Sequence, residues 1–201
     1  MKLSNFLKKL KKSKKLIRMT IVGDGAVGKT TLVQALIQKT AQNINKSNGK
    51  IVLNNREITR TPFMEIETWA YNDLLFQCYD LAGQRIPGTH PLDLMKDQVI
   101  KSIDVYLFVF SVDRYESFEN ISNWIELMNL KNKNKNGYTG LILVGNKIDL
   151  EKNISDELIA SIVGKKKFFQ TYVETCSLDG RGIDNLLEEI TQIGRNLLNS
   201  N

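Results

Sequence analysis

Cysteine and histidine are scarce, with two of the first and one of the second in 201 residues. No apolar run approaches the roughly 18 residues that a membrane-spanning helix needs. Two thiols cannot supply a disulfide framework. Cys78 lies in a run that reads as a buried strand and Cys176 at the end of another, so both are expected as free thiols in a reducing, cytoplasmic setting. The N-terminus has basic residues but no continuous apolar stretch behind them, against a cleaved secretory signal. Lys2 stands second and the chain ends "LLNSN", so acceptors for myristoylation and prenylation are not expected. Internal repeats are lacking too.

The 42% hydrophobic and 25% charged content is ordinary for a globular protein and excludes global disorder. The net charge of +6 suggests nucleic acid only until it is divided by region. Eight of the 28 basic residues fall in residues 1–18 (Lys2, Lys8, Lys9, Lys11, Lys12, Lys14, Lys15 and Arg18), leaving 20 against 22 acidic residues. The body is therefore near neutral, and nucleic acid is not the expected partner. Residues 1–15 read as a basic arm and residues 16–198 as one domain.

Within that domain short apolar runs alternate with helical patterns. Ile17–Val22, Val105–Phe110 and Leu141–Asn146 have the continuous apolar character of strands covered on both faces. Helices are predicted over Lys29–Lys39, Tyr115–Leu130, Ser155–Lys165 and Ile183–Leu198. Phe63–Ala70 and Leu74–Tyr79, joined by "YND", read as an antiparallel hairpin. The order predicts a three-layer α/β domain with a mixed sheet of about six strands and helices on both faces. Thr40–Arg60, rich in Asn, Lys and Thr, reads as a linker, and linkers of that length are usually functional.

Three short motifs carry chemistry. "GDGAVGKT" fits G-x-x-x-x-G-K-[ST] between a buried strand and a helix. Gly23, Asp24, Gly25, Ala26, Val27 and Gly28 would wrap their backbone N–H groups around an anion, supported by the following helix dipole through Thr31. Lys29 would reach the β- and γ-phosphates, and the Thr30 hydroxyl would bind Mg²⁺. "DLAGQ" places Asp80 at a strand's carboxyl end, where its carboxylate can hold magnesium-bound water and the Gly83 N–H can meet a γ-phosphate. "NKID" supplies Asn146, Lys147 and Asp149; the Asp149 carboxylate can accept from the N1 and N2 donors of guanine, which adenine lacks. A site with such acceptors rejects the wrong base by about 10⁴ or more.

With these motifs in order, the chain over residues 16–198 resembles the Ras-like small GTPases, mixing Ras and Rab features with Arf-like ones. The resemblance implies the P-loop GTPase fold, its mixed six-stranded sheet carrying one antiparallel edge strand. "SVDRYESFENISNWIEL" (Ser111–Leu127) is similar to the strand-to-helix segment of Ras and Rab relatives, and "ETCSLDG" (Glu174–Gly180) to their last base-contacting loop. By that likeness Cys176, Ser177 and Leu178 join the nucleotide site, the Ser177 N–H facing the guanine oxygen. Leu178 stands where many relatives have Lys. Gln84 takes the place of the glutamine that orients the attacking water. A switch threonine is implied upstream of Asp80; Thr59 and Thr61 compete, and the spacing favours Thr61 as ligand of Mg²⁺. Arg56 and Arg60 do not fall at the built-in arginine position of Gα proteins.

The expected function is a GTP-binding switch that slowly hydrolyses GTP to GDP, with effectors, an exchange factor and a GTPase-activating protein as partners. A nucleotide-loaded scaffold with negligible hydrolysis is the alternative, and an ATP-dependent enzyme is disfavoured by "NKID". In the arm, Leu3, Phe6, Leu7 and Leu10 form one apolar stripe among lysines. It resembles the membrane-resting helix of Arf relatives, with a solubilising tail as the equal alternative and nonspecific nucleic-acid contact as a third; peripheral attachment to a membrane through residues 1–18 follows from the first. His90 reads as a solvated loop residue and Trp124 as packing.

Overall fold

A computed structural model describes residues 15–45, 64–83, 102–128, 130, 139–164 and 167–199. Six strands form one sheet: β1 (Leu16–Val22), β2 (Met64–Tyr71), β3 (Leu74–Leu81), β4 (Val105–Ser111), β5 (Gly140–Asn146) and β6 (Thr171–Thr175). Their order is β2-β3-β1-β4-β5-β6. β2 runs antiparallel to β3 at one edge and every other pairing is parallel. The helical segments are α1 (Lys29–Asn45), α2 (Tyr115–Glu119), α3 (Ile121–Leu127), α4 (Asp156–Ile162) and α5 (Ile183–Asn199).

Alternation along the central strands explains the three layers. Every residue of β4 and β5 is buried. Val105, Leu107 and Val109 of β4 join Ile142 and Val144 of β5 in a core with Leu32 and Leu36 of α1 and Leu186, Leu187 and Ile190 of α5. The intervening Tyr106, Phe108, Phe110, Leu141 and Leu143 face the other way, into a core with Ile121 and Trp124 of α3 and Ile159 of α4. Successive strand side chains point to opposite faces, so a continuously apolar strand must be covered twice. The mixed six-stranded sheet with an antiparallel edge and helices on both faces is the architecture that the pattern predicts.

Three helix boundaries differ from expectation. α1 continues six residues past Lys39 into the expected linker, and buried Thr40 turns its hydroxyl back onto the Ile37 carbonyl at 2.7 Å. The single helix expected over Tyr115–Leu130 is two short segments meeting at Asn120, whose side chain is drawn elsewhere. α4 begins with the Ser155 hydroxyl capping the Leu158 N–H at 3.3 Å and with Asp156 and Glu157 in its first turn, both favourable at a positive helix end. It stops at Ile162 rather than Lys165, because Val163 is extended and bridges to Phe169.

Parallel β3 and β4 flank β1 on opposite sides, so the connections leave β1's neighbours in opposite directions at its carboxyl end. Open α/β sheets bind ligands in the crevice at such a point. The glycine loop starts there.

Candidate functional site

The loop between β1 and α1 is shaped by residues far from it in sequence. Lys29 is buried, and its ammonium donates 2.9 Å hydrogen bonds to the Gly23 and Asp24 carbonyls. Burial pulls its pKa down to about 8, opposed by the charges of Asp80 and Asp24. Gly28 has φ +93°, and a Cβ there would lie 2.5 Å from Asn146 Nδ2. A larger residue at Gly28 would expel the Asn146 amide, which donates to the Val27 carbonyl at 2.9 Å. Gly83 is required for a similar reason: its Cβ would collide with the Lys29 ammonium and lie 2.5 Å from the Asp24 carbonyl oxygen. The "DLAG" turn thus lies against the glycine loop, as its motif implies.

Asp80 is buried near the end of β3, level with Ile21 of β1 and Glu65 of β2. Its Oδ2 accepts a 2.6 Å hydrogen bond from the Thr30 hydroxyl. Two hard oxygen donors therefore stand side by side next to the glycine loop. Among the described residues no three carboxylates, histidines or cysteines group into a metal cage. That donor set fits Mg²⁺, which commonly takes one or two protein ligands and completes its shell with water and substrate phosphate.

A second cluster forms at the ends of β5 and β6. Asn146 is paired with Thr175 across the strands and is buried. Its Oδ1 accepts from Thr175 Oγ1 (3.0 Å), Ser177 Oγ (2.9 Å) and the Ser177 N–H (3.3 Å), while its Nδ2 holds Val27. One amide thereby joins the phosphate-type loop to the "CSLDG" loop. Asp149 is exposed and accepts at Oδ1 from the Cys176 thiol at 3.2 Å. Burial raises the pKa of that thiol, which stays protonated and able to donate. Lys147 has φ +67°, and Leu178 projects into solvent, 59% exposed. Both expected free thiols are free and buried.

The structure thus brings together Gly23–Thr31, Asp80 and Gly83 in one group and Asn146, Lys147, Asp149, Cys176, Ser177 and Leu178 in the next. The remaining expectations, on Gln84, Thr59, Thr61, Arg56, Arg60, His90 and residues 1–14, lie outside the described residues. Sequence reasoning missed Arg114 and Asn120 and gave Trp124 to packing alone. Trp124 is buried, yet its indole N–H also donates to Asp24 Oδ1 at 2.9 Å.

Comparison with known proteins decides the family. The Ras family profile matches residues 18–195. The chain belongs to the Ras family. These are small GTPases of the P-loop superfamily, and so an enzyme class of hydrolases. Among curated relatives, the Ras-related protein Rab-28 of Caenorhabditis elegans is 28% identical over 161 residues, 79% of this chain and 60% of its own length. The Ras-like GTP-binding protein RHO1 of Entamoeba histolytica is 28% identical over 184 residues, 90% of this chain and 77% of its own. The Ras-related protein RABA5e of Arabidopsis thaliana is 26% identical over 192 residues, 92% and 79% respectively. The chain spans about three-fifths of the length of the Rab-28 relative. Among its described residues no helix is long and apolar enough to cross a membrane.

Proposed function

We propose that this chain binds GTP and GDP with Mg²⁺ at the carboxyl ends of β1, β3 and β5 and hydrolyses GTP slowly, as a nucleotide-dependent switch. The observation that carries the reading is the juxtaposition of a lysine-braced glycine loop, a Thr30–Asp80 oxygen pair at 2.6 Å and, where Asn146 ties Val27 to Ser177, an exposed Asp149 carboxylate that accepts from the neighbouring Cys176.

Each group has a separate task. Backbone N–H groups of the loop and the Lys29 ammonium neutralise the β- and γ-phosphates. Thr30 and Asp80, with Thr61, would hold Mg²⁺, which would supply positive charge against the phosphate oxygens. Asp149 reads guanine through N1 and N2, with the Ser177 N–H on the guanine oxygen and Lys147 and Leu178 beside the base. Gln84 orients the attacking water, and the Gly83 N–H meets the γ-phosphate. Positioning and electrostatics dominate phosphoryl transfer. Without an arginine finger such enzymes turn over at roughly 10⁻⁴ per second, and a partner's arginine raises that by about 10⁵.

Segments around residues 40–64 and 80–98 would be ordered by the γ-phosphate and released after hydrolysis, so that effectors, exchange factors and activating proteins read or reset the state. The basic arm would add peripheral attachment to anionic membrane, about 1 kcal/mol per Lys or Arg at the surface; flotation with liposomes, with and without residues 1–15, tests it by loss of partitioning. The central experiment is a titration of the purified chain with fluorescent GDP and GTP in Mg²⁺, competed by adenine nucleotides. Guanine-selective retention is expected; equal competition by ATP would overturn the reading.

A further inference from the structure

The glycine loop is held from one side by Asn146. On another side it is held by the short junction between β4 and α3, and nothing in its nucleotide chemistry asks for that. Asp24 Oδ1 accepts from Trp124 Nε1 at 2.9 Å and Asp24 Oδ2 from Asn120 Nδ2 at 2.8 Å. Next door, Arg114 Nη2 donates to the Gly25 carbonyl at 2.8 Å. Three side chains of one segment thus grip two consecutive loop residues that lie 89 to 100 positions away.

The segment that grips is itself braced. Buried Ser117 accepts at Oγ from the Ser111 N–H (3.0 Å) and donates to the Arg114 carbonyl (2.7 Å), tying the junction to the end of β4. Asn120 interrupts the helix, and its Oδ1 accepts from Asn123 Nδ2 at 3.1 Å, which leaves its own N–H₂ to face Asp24. Asn120 and Trp124 are four residues apart, the spacing that sets two side chains on one helical face.

The grip resolves a conflict of charge and shape. A carboxylate inside a loop built for a polyanion is repelled by its ligand, unless its oxygens are engaged elsewhere. Both Asp24 oxygens are engaged, by charge-assisted bonds, which are stronger than neutral ones. The half-buried Arg114 guanidinium brings a compensating positive charge and makes no ion pair among the described residues. In a planar trans peptide unit the N–H points opposite to the C=O, so fixing the Gly25 carbonyl fixes the direction of the Ala26 N–H. Ala26 itself has φ +63°, unfavourable for a residue with a Cβ and maintained only where its surroundings impose it.

We propose that Asp24 of the glycine loop and Arg114, Asn120 and Trp124 of the segment from the end of β4 into α3 form a tether that preorganises the loop, so that these positioning residues set how long a nucleotide stays bound. The tether rests on the reading that the loop binds phosphate, but its structural half can be judged separately. The experiment uses the full chain and four variants, Trp124→Phe, Asn120→Ala, Arg114→Ala and Asp24→Ala, with Trp124→Phe also built on Asp24→Ala. Hydrogen exchange of the amides of residues 24–28 is measured without added nucleotide, and release of fluorescent GDP by chase.

Each of the single variants Trp124→Phe, Asn120→Ala and Arg114→Ala is expected to speed exchange in the loop while leaving β4 and β5 unchanged. GDP release should be faster by about tenfold, the size of one charge-assisted hydrogen bond. Trp124→Phe should add little when Asp24 is already alanine, because the partner is gone. A merely structural tryptophan would give the same increment in both backgrounds, and that result overturns the tether. Unchanged loop exchange in all of the variants also overturns it. Altered exchange with unchanged GDP release removes its control of residence time. If the unmodified chain retains no guanine nucleotide, the GTPase reading fails instead, and the exchange arm still decides the tether.

Discussion

Replacing Asn146 with alanine removes one buried amide and four hydrogen bonds at once. The side chain is 1% exposed, and its partners are the Val27 carbonyl, the Thr175 hydroxyl and both the hydroxyl and the N–H of Ser177. A neutral hydrogen bond contributes about 1 kcal/mol net, and a buried group left without a partner costs about 1–3 kcal/mol. Thr175 is fully buried, so it has no water to turn to, whereas the 3.3 Å Ser177 N–H contact is the weakest of the four. The sum is a loss of about 3–5 kcal/mol of folding stability. Part of it must appear at the ligand, because Val27 is released from the second loop. If one orphaned carbonyl accounts for that part, about 1–3 kcal/mol, GDP should leave roughly 5 to 150 times faster. Urea unfolding and a stopped-flow chase of fluorescent GDP measure the two effects on one preparation. A stability loss below about 1 kcal/mol with unchanged release would refute the view that this amide bridges the loops.

Three further outcomes are expected. Asp149→Asn should exchange guanine preference for xanthine nucleotides in a competition titration, since the amide presents a donor where the carboxylate accepts; persistent GTP selectivity would mean that another group reads the base. Gln84→Leu should keep nucleotide affinity and slow single-turnover hydrolysis; equal rates would take Gln84 out of the mechanism. Asp73, in the β2–β3 turn, accepts from Lys15 at 2.7 Å and Arg195 at 2.9 Å, and these bonds hold its pKa down at about 2. A depressed carboxylate stabilises the fold above its unfolded pKa near 4 and loses that contribution as pH falls towards 2. Asp73→Asn should therefore cost less than about 1 kcal/mol at neutral pH, as exposed pairs do, and the difference from the parent should fade below pH 4. A difference that persists at pH 2 would assign it to something other than charge.

How far the sequence could be read depended on the distance over which each feature is encoded. Strands and helices with one period of apolar residues, such as Val105–Ser111, were legible because burial acts on neighbours in the chain. So was the place of the glycine loop between β1 and α1, its glycines and lysine lying within eight residues, and so was the place of "NKID" at the end of β5. Helix ends were read less well: Val163 leaves α4 early to bridge Phe169, and Asn120 breaks the predicted helix to serve Asp24. The links between motifs were not read at all. Asn146 meets Val27 across 119 positions and Trp124 meets Asp24 across 100. Two signals were available: an aspartate inside an anion-binding loop, which needs partners, and an Asn and a Trp at i, i+4 on a helix otherwise read as packing.

These links share one physical purpose. An anion held by backbone N–H groups gains specificity only if those groups are already aimed, and a loop rich in glycine has the least intrinsic stiffness of any segment. Lys29 aims the first peptide planes from within, by bonding the Gly23 and Asp24 carbonyls, and distant side chains aim the following ones by bonding the carbonyls from outside. Arg114 fixes the Gly25 carbonyl and so turns the Ala26 N–H; Asn146 fixes the Val27 carbonyl and so turns the Gly28 N–H. Asn120 and Trp124 draw Asp24 aside between them. The flexibility that glycine supplies for close approach is thus restrained by β4 and β5, the two most deeply buried strands of the sheet, and the loop inherits their rigidity.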